Sequence, residues 1–216
     1  VCNEVLDDSY GLRLSNWLKI IKDYDGDGDR YDFIEIAFRT AHEADPDARL
    51  IINDYSLESS TDKAITMYNM VKKMLEEDVP VDGVGLQMHV GIDMDVEKAR
   101  ENIEILAKLK KINPDFVIEV TELDMSCYGW GNNDLNIDFK SIEKDFNAKY
   151  VELFNMLMDL SEEGILDSVV FWGFNDGNTW LNGFPIEGRT NYPFLIDADL
   201  KFKSAFWKVI ELPEKR

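Results

Sequence analysis

Short apolar runs alternate with longer amphipathic stretches along almost the whole chain, and this pattern constrains the fold most. Four runs have the length and the β-branched content of buried strands: Arg49–Tyr55, Val81–His89, Phe116–Glu122 and Ser168–Phe174. Five stretches carry apolar residues at helical spacing: Tyr31–Asp45, Thr61–Glu77, Asp95–Ile112, Ser141–Glu163 and Leu200–Leu212. The first residues, up to Glu4, resemble the end of a further strand. Strict alternation predicts an α/β fold with parallel strands and right-handed crossovers.

Two folds fit this alternation. One is a TIM (β/α)8 barrel, which needs eight strand–helix units and roughly 250 residues. The chain would then supply about the last five units, with three units preceding Val1. The other is an open doubly wound sheet, but the first strand–helix turn lacks the Gly-rich phosphate loop typical of that fold. We therefore expect residues 1–216 to be the C-terminal part of a single barrel domain.

Composition excludes several classes of partner. The formal net charge is −20, which argues against binding to nucleic acid or to an anionic membrane surface. No apolar run reaches the roughly 20 residues that a transmembrane helix needs. With only two cysteines, Cys2 and Cys127, neither a disulfide framework nor a zinc cluster is expected.

Two carboxylates occupy positions where such folds place catalysis. Glu122 lies at the C-terminal tip of a predicted strand, with Asp124 two residues later, and Glu4 follows Asn3 at the end of the first strand. The carboxyl ends of parallel strands carry the active sites of barrel and open-sheet enzymes. A pair of carboxyl groups is also the minimum apparatus for hydrolysing a glycosidic bond. Taken alone, however, an Asn-Glu pair near a terminus is more often an ordinary acidic surface feature.

A third acidic pattern, Asp23–Gly28, gives only weak support for a metal site. Asp23–Gly28 reproduces the first half of an EF-hand calcium loop, but the twelfth position is Ile34, where a bidentate Glu is required. We expect a solvated acidic loop and no bound metal or other cofactor.

Five motifs occur in order, each at the tip of a predicted strand. They are Cys2-Asn3-Glu4, Ile52-Asn53-Asp54-Tyr55, Gly83-Val84-Gly85-Leu86-Gln87-Met88-His89, Thr121-Glu122-Leu123-Asp124 and Phe171-Trp172-Gly173-Phe174-Asn175-Asp176-Gly177. Together they resemble the last five strands of a glycoside hydrolase family 10 endo-β-1,4-xylanase, a TIM barrel of the retaining type. The resemblance covers essentially the whole chain, and five ordered motifs are far more specific than any one of them.

The resemblance implies a role for each motif. Glu4 would be the general acid/base and Glu122 the nucleophile, with carboxyl groups about 5–5.5 Å apart. The residues expected to bind substrate or support this pair are Asn3, Gln87, His89, Asp124, Trp172 and Trp180. Alternation along a strand would direct Gln87 and His89 to the same side. The segment Asn53-Asp54-Tyr55 could hold a sugar or support Glu4; apart from the resemblance, we favour structural support for Asn53 and Asp54 and a leaving-group contact for Tyr55.

The implied function is retaining endo-hydrolysis of β-1,4-xylosidic bonds. Xylan or xylooligosaccharides would be the substrate, and a complementing N-terminal segment of the same barrel would be the partner. Two alternatives stay open: the same chemistry on another β-1,4-glucan, and a non-catalytic carbohydrate-binding or complementation fragment. A polymeric substrate implies a secreted or periplasmic location.

Overall fold

The computed structural model describes residues 1–21, 26, 28 and 30–213. The chain divides into two compact units, each described by itself below. The first contains Val1–Gln87 and Lys98–Val120, and the second contains Met88–Glu97 and the residues from Thr121 onward. Most of the acidic loop Asp23–Gly28 falls outside the described residues, so its lack of a metal stays a prediction.

Strands and helices alternate as predicted. The described residues form six strands: β1 Cys2–Asn3, β2 Ile51–Asp54, β3 Gly83–Leu86, β4 His89–Gly91, β5 Val117–Ser126 and β6 Ser168–Phe171. They also form six α-helices: α1 Asn16–Ile20, α2 Asp32–Ala44, α3 Thr61–Glu76, α4 Val96–Ala107, α5 Phe139–Glu162 and α6 Ser204–Ile210. Short 3₁₀ turns follow α4 (Lys108–Lys111) and β6 (Asp176–Asn178).

The strands of the first unit pair in parallel, which confirms the predicted α/β arrangement. β1 pairs with β2, β2 with β3, and β3 with the first four residues of β5. Asn3 stands opposite Asn53, and Asn53 stands opposite Gly85. In the second unit β4 and β5 are also parallel, with His89 opposite Asp124. In the first unit the motif residues Asn3 and Asn53 lie at the C-terminal ends of their strands. In the second unit His89 begins β4, and Glu122 and Asp124 lie within β5.

Apolar helix faces fill the core of the first unit. Ser60 caps α3 by accepting a hydrogen bond from the backbone N–H of Lys63 (3.3 Å). The apolar stripe of α3 is then completely buried, at Ala64, Met67, Met70, Val71 and Met74. Strand β3 approaches β5 so closely at Gly83 that a side chain there would collide with the Val117 carbonyl oxygen, 2.7 Å from the position of a Cβ. Glycine at this position lets the two strands pair.

Several sequence predictions are wrong in detail. Strand β5 continues to Ser126, past its predicted end at Glu122, and β6 ends at Phe171 instead of Phe174. Helix α1 is not among the predicted helices.

The predicted strand Val81–His89 is interrupted, because Met88 has φ +59° and a left-handed residue cannot continue a strand. The expectation that Gln87 and His89 share one side of a strand fails for the same reason. The closing helix begins at Ser204 instead of Leu200, since Leu200 is also left-handed (φ +64°) and Lys203 is extended.

Within the described ranges, no helix combines the length and the apolar character needed to cross a bilayer.

Candidate active site

The first unit places Glu4 directly after β1 in a strained conformation. Its backbone N–H donates to the Asn53 carbonyl oxygen (2.9 Å), which continues the pairing of β1 with β2. Its φ is +53°, a value that a non-glycine residue rarely adopts. Such backbone strain is concentrated at functional sites. The Glu4 side chain is 42% exposed, so its carboxylate is accessible to a ligand.

Amides surround this carboxylate. The Gln87 side-chain amide donates to Glu4 Oε1 (3.2 Å) and to Asn3 Oδ1 (3.2 Å). The Asn53 amide also donates to Asn3 Oδ1, at 2.8 Å. The structure therefore brings together three of the residues that the sequence singled out, namely Asn3, Glu4 and Gln87.

Arg13 is a neighbour of Glu4 that sequence reasoning missed. Its Nε donates to the Glu4 carbonyl oxygen (2.8 Å), and its Nη2 lies 3.6 Å from Glu4 Oε2. The same Nη2 donates to the Tyr55 hydroxyl (3.0 Å), which in turn donates to Asp8 (2.5 Å). Burial, together with the hydrogen bond to Asp8, raises the pKa of Tyr55 to about 12. Only the position of Arg13 after a Gly-containing turn could have hinted at this contact.

Asp54 has the structural role that the sequence suggested. Its carboxylate accepts from the backbone N–H groups of Leu6 (3.0 Å) and Tyr55 (2.9 Å). It also forms a fully buried ion pair with Lys63 at 2.8 Å. The segment that follows Glu4 is thereby fastened to β2.

In the second unit His89 lies between Glu122 and Asp124, and we call these three side chains the relay. His89 Nε2 lies 3.3 Å from Glu122 Oε2, and His89 Nδ1 lies 3.0 Å from Asp124 Oδ1. Because His89 stands opposite Asp124 in the β4–β5 pairing, the register itself sets the second distance. Glu122 and Asp124 point to the same side of β5, as alternate residues do, so one imidazole contacts both.

Burial and charge act in opposite directions on His89. Burial lowers the pKa of its imidazole, but the hydrogen bond to Asp124 and the charges of Asp124 and Glu122 outweigh burial and leave the pKa raised. The arrangement therefore favours an imidazolium between two carboxylates. Glu122 therefore has a cationic neighbour at 3.3 Å.

Two tryptophan rings pack beside this relay. Trp180 Nε1 donates to Asp124 Oδ2 at 2.7 Å, and its ring packs edge-on against His89 with centroids 4.9 Å apart. Trp172 lies edge-on to the same imidazole at 6.4 Å, and Phe184 packs against Trp180. Trp172 and Trp180 are 51% and 40% exposed. Partly exposed indole rings beside a carboxylate suit the apolar faces of a sugar.

A buried ion pair supports the loop that carries these rings, and sequence reasoning missed it. Lys203 Nζ lies 2.6 Å from Asp176 Oδ2 and donates to the Tyr192 carbonyl oxygen (2.8 Å). Asp176 Oδ1 accepts from the backbone N–H of Phe194 (2.9 Å). Asp176 belongs to the last of the five motifs, but nothing in the sequence links it to Lys203, which lies 27 residues later.

The described residues contain no group of three or more His, Cys, Asp or Glu side chains placed to hold a metal ion.

Comparison with known proteins gives a consistent result. The family model described as "Glycosyl hydrolase family 10" matches residues 1–212. Endo-1,4-beta-xylanase C of Paenibacillus barcinonensis is 42% identical over 98% of this chain, which corresponds to 19% of that protein.

Solved structures agree with this match. A structure of a family 10 protein from Paenibacillus barcinonensis has a TM-score of 0.91 and 41% identity, and the alignment covers 99% of this chain and 60% of that one. A mutant of an intracellular xylanase from Thermoanaerobacterium saccharolyticum, in complex with xylotriose, has a TM-score of 0.75 and 39% identity, and the alignment covers 96% of this chain and 55% of that one. The chain thus spans less than two thirds of each of these relatives.

Proposed function

The chain belongs to glycosyl hydrolase family 10, and from that premise we propose that it carries the catalytic pair of a retaining endo-β-1,4-xylanase. The observation that carries the proposal is the relay in the second unit, where His89 contacts Glu122 at 3.3 Å and Asp124 at 3.0 Å. A carboxylate held ionised by an imidazolium is the form that a glycosidase nucleophile needs.

The first half of the reaction forms a covalent intermediate. Glu122 Oε attacks the anomeric carbon of the sugar, and the bond from that carbon to the leaving oxygen breaks with its electron pair. Glu4 gives its proton to the leaving oxygen and becomes a carboxylate. The Gln87 amide, which donates to Glu4 Oε1, stabilises the carboxylate so formed.

The second half releases the sugar. Glu4, now a base, takes a proton from water while the water oxygen attacks the anomeric carbon. The ester bond to Glu122 breaks, and Glu122 regains its carboxylate next to His89. The configuration at the anomeric carbon is retained, because it inverts twice.

Xylan is the substrate that the relatives favour. One relative is named endo-1,4-beta-xylanase and another was solved with xylotriose. In this chain Trp172 and Trp180 offer the aromatic wall that a xylose ring would stack on. The proposed substrates are xylan and xylooligosaccharides.

A complementing segment is part of the proposal. The chain covers 55–60% of the two solved structures, and each unit exposes a cluster of large apolar side chains. These are Leu14, Trp17 and Ile20 in the first unit and Phe202, Trp207 and Ile210 in the second. Exposed apolar patches of this kind mark surfaces that a partner covers. We propose that the first three strand–helix units of the barrel cover them.

Intact-mass analysis of the purified protein, combined with reducing-end release from xylan, tests this function. We expect a 2-fluoro-xylobioside carrying a dinitrophenolate leaving group to label one residue, and peptide mapping to identify it as Glu122. Glu122→Ala should abolish turnover with the fold intact, whereas Glu119→Gln on the same strand should keep most of the activity. A Glu122→Ala variant that retains most of its activity contradicts the proposal.

The same assay separates the alternatives. Equal release from a mixed-linkage or cellulosic β-glucan would indicate a broader β-1,4-glucan specificity. Binding of xylooligosaccharides without cleavage, with the complementing segment restored, would indicate a carbohydrate-binding fragment.

Export remains part of the proposal, because xylan is a polymer outside the cell. The Thermoanaerobacterium relative is described as intracellular, so cell fractionation of the source organism is the direct test.

A further inference from the structure

We propose that Arg13 is the positioning residue of Glu4, holding both its backbone and its carboxylate in the geometry that proton transfer needs. The inference rests on the proposed function of Glu4 as acid/base. It adds a residue that the ordered motifs leave out.

A local turn delivers Arg13 to Glu4. Asp7 Oδ1 accepts from the backbone N–H groups of Ser9 (2.9 Å) and Gly11 (3.3 Å), which closes the turn after the buried residues Val5 and Leu6. The returning segment pairs with the outgoing one, since the Arg13 N–H donates to the Val5 carbonyl oxygen (2.7 Å). The Arg13 side chain therefore starts beside the residue that follows Glu4.

The guanidinium contacts Glu4 twice. Nε donates to its carbonyl oxygen at 2.8 Å, a direct restraint on a residue with φ +53°. Nη2 lies 3.6 Å from Oε2, an ion-pair distance longer than a hydrogen bond. Gln87 holds the other oxygen, Oε1, at 3.2 Å. Each carboxylate oxygen thus has its own partner, and the backbone has a third restraint.

Arg13 is itself fixed by a hydrogen bond to a residue other than Glu4. Its Nη2 donates to the Tyr55 hydroxyl (3.0 Å), and that hydroxyl donates to Asp8 (2.5 Å). The Tyr55 ring is fixed in turn by the ammonium of Lys63, which lies 3.3 Å from its centroid and is paired with Asp54. A guanidinium with planar, directional donors is suited to this fixed network, whereas an ammonium is not.

The consequence is specific to proton transfer. Displacing a general acid or base weakens the steps that need a proton moved and spares those that do not. Arg13 should therefore matter when the leaving group is poor, because Glu4 must protonate it. It should also matter in the second half-reaction, because Glu4 must deprotonate water. It should matter little when a good leaving group departs unaided.

The experiment compares two leaving groups in three variants of the active protein. Phenyl and 2,4-dinitrophenyl β-xylobiosides are hydrolysed by the wild-type protein, Arg13→Gln and Arg13→Lys. Arg39→Gln is the matched control, since Arg39 also donates to backbone carbonyl oxygens in the first unit, those of Glu77 and Asp78. For Arg13→Gln we expect kcat/KM for the phenyl substrate to fall about 10- to 100-fold. For the dinitrophenyl substrate it should change less than about threefold.

Two further results are expected of a positioning role. With the dinitrophenyl substrate, kcat of Arg13→Gln should fall because deglycosylation becomes limiting, and azide should restore it by attacking without a base. Arg13→Lys should lose less kcat/KM on the phenyl substrate than Arg13→Gln does. Lysine keeps the positive charge but lacks the planar set of N–H donors of the guanidinium. Equal losses of kcat/KM on the phenyl and the dinitrophenyl substrate would overturn the proposal. Losses of kcat/KM that parallel a lowered melting temperature would overturn it as well. Tyr55→Phe, which removes one anchor of Arg13, should give the same pattern more weakly.

One readout does not depend on activity. In ¹⁵N-labelled protein the Arg13 Nε–H should give a resonance protected from exchange with water, and Arg13→Gln should shift the Glu4 amide resonance. Failure of the wild-type protein to cleave xylan or to label Glu122 would remove the proposed function alone. An unprotected Arg13 resonance would remove the positioning role even in an active enzyme.

Discussion

The indole N–H of Trp180 donates to Asp124 Oδ2 at 2.7 Å, while the other oxygen of the same carboxylate lies 3.0 Å from His89 Nδ1. Asp124 is completely buried, so both oxygens depend on these protein partners. Trp180, which we propose as one side of a sugar subsite, therefore also orients the carboxylate that contacts His89. Stacking of a sugar on Trp180 and alignment of Glu122 are linked through one carboxylate.

Trp180→Phe should weaken this link while keeping an aromatic ring. Asp124 Oδ2 would lose its donor in a buried setting, which costs about 1–3 kcal/mol of stability. The alignment of His89 and Glu122 would loosen as well, so kcat on xylooligosaccharides should fall more than the ring change alone explains. Denaturant unfolding and steady-state kinetics check both effects. Trp172→Phe is the control, because it alters the neighbouring ring and leaves the bond to Asp124 in place.

His89 should make stability depend on pH in a defined direction. Its pKa in the folded protein is raised, on balance, by Asp124 and Glu122 above the ordinary value of about 6.5. A raised pKa means that its stabilising contribution is complete below about pH 6.5 and is lost as the pH rises through the folded-state value. The difference in free energy of unfolding between the wild-type protein and His89→Gln should therefore shrink from pH 5.5 to pH 9.

The measurement has a built-in control. His42 is the only other histidine in the sequence and is exposed at the end of α2. His42→Gln leaves His89 as the single histidine, so that one imidazole resonance can be followed through the pH series. A difference between the wild-type protein and His89→Gln that grows with pH would mean that the imidazole is stabilised in its neutral form, against the expected sign.

The fold could be predicted from the sequence because its strongest signals are local. The strand ending at Tyr55 and the helix Thr61–Glu77 are found within a few residues of their predicted bounds, and the strands are parallel. The family match supplies the barrel class, which settles the choice between the two folds that alternation allowed. The break at Met88 was not predictable in this way, because methionine carries no signal for a left-handed conformation.

The sequence predicts the residues of the candidate site that belong to a motif. It does not predict contacts between partners that are separated along the chain. Asn3, Glu4 and Gln87 come together in one unit, and His89, Glu122 and Asp124 come together in the other. Arg13 and the Lys203–Asp176 pair depend on turns and on packing between elements, which hydrophobic periodicity does not report. Their contacts form only when the chain adopts its tertiary structure.

Lys203→Met should test how far the tryptophan-bearing loop depends on its buried ion pair. The side chains of Lys203 and Asp176 are 5% and 1% exposed, and the ammonium also lies over the rings of Phe139 and Phe146. Methionine keeps the apolar packing but leaves the Asp176 carboxylate buried without its cation. Removing one partner of a buried pair costs about 3–5 kcal/mol, so denaturant unfolding should show a loss of this size.

Two companion variants decide whether charge is the cause. Asp176→Asn combined with Lys203→Met removes the uncompensated charge, and the amide oxygen can still accept from the Phe194 N–H that now binds Asp176. The double variant should therefore be more stable than Lys203→Met alone. Lys201→Met removes a lysine from an exposed pair with Asp199, where 73% and 77% of the two side chains are accessible. Its stability should stay within about 0.5 kcal/mol of the wild-type value. If the double variant is no more stable than Lys203→Met, the lost packing of the lysine stem, and not the stranded carboxylate, accounts for the destabilisation.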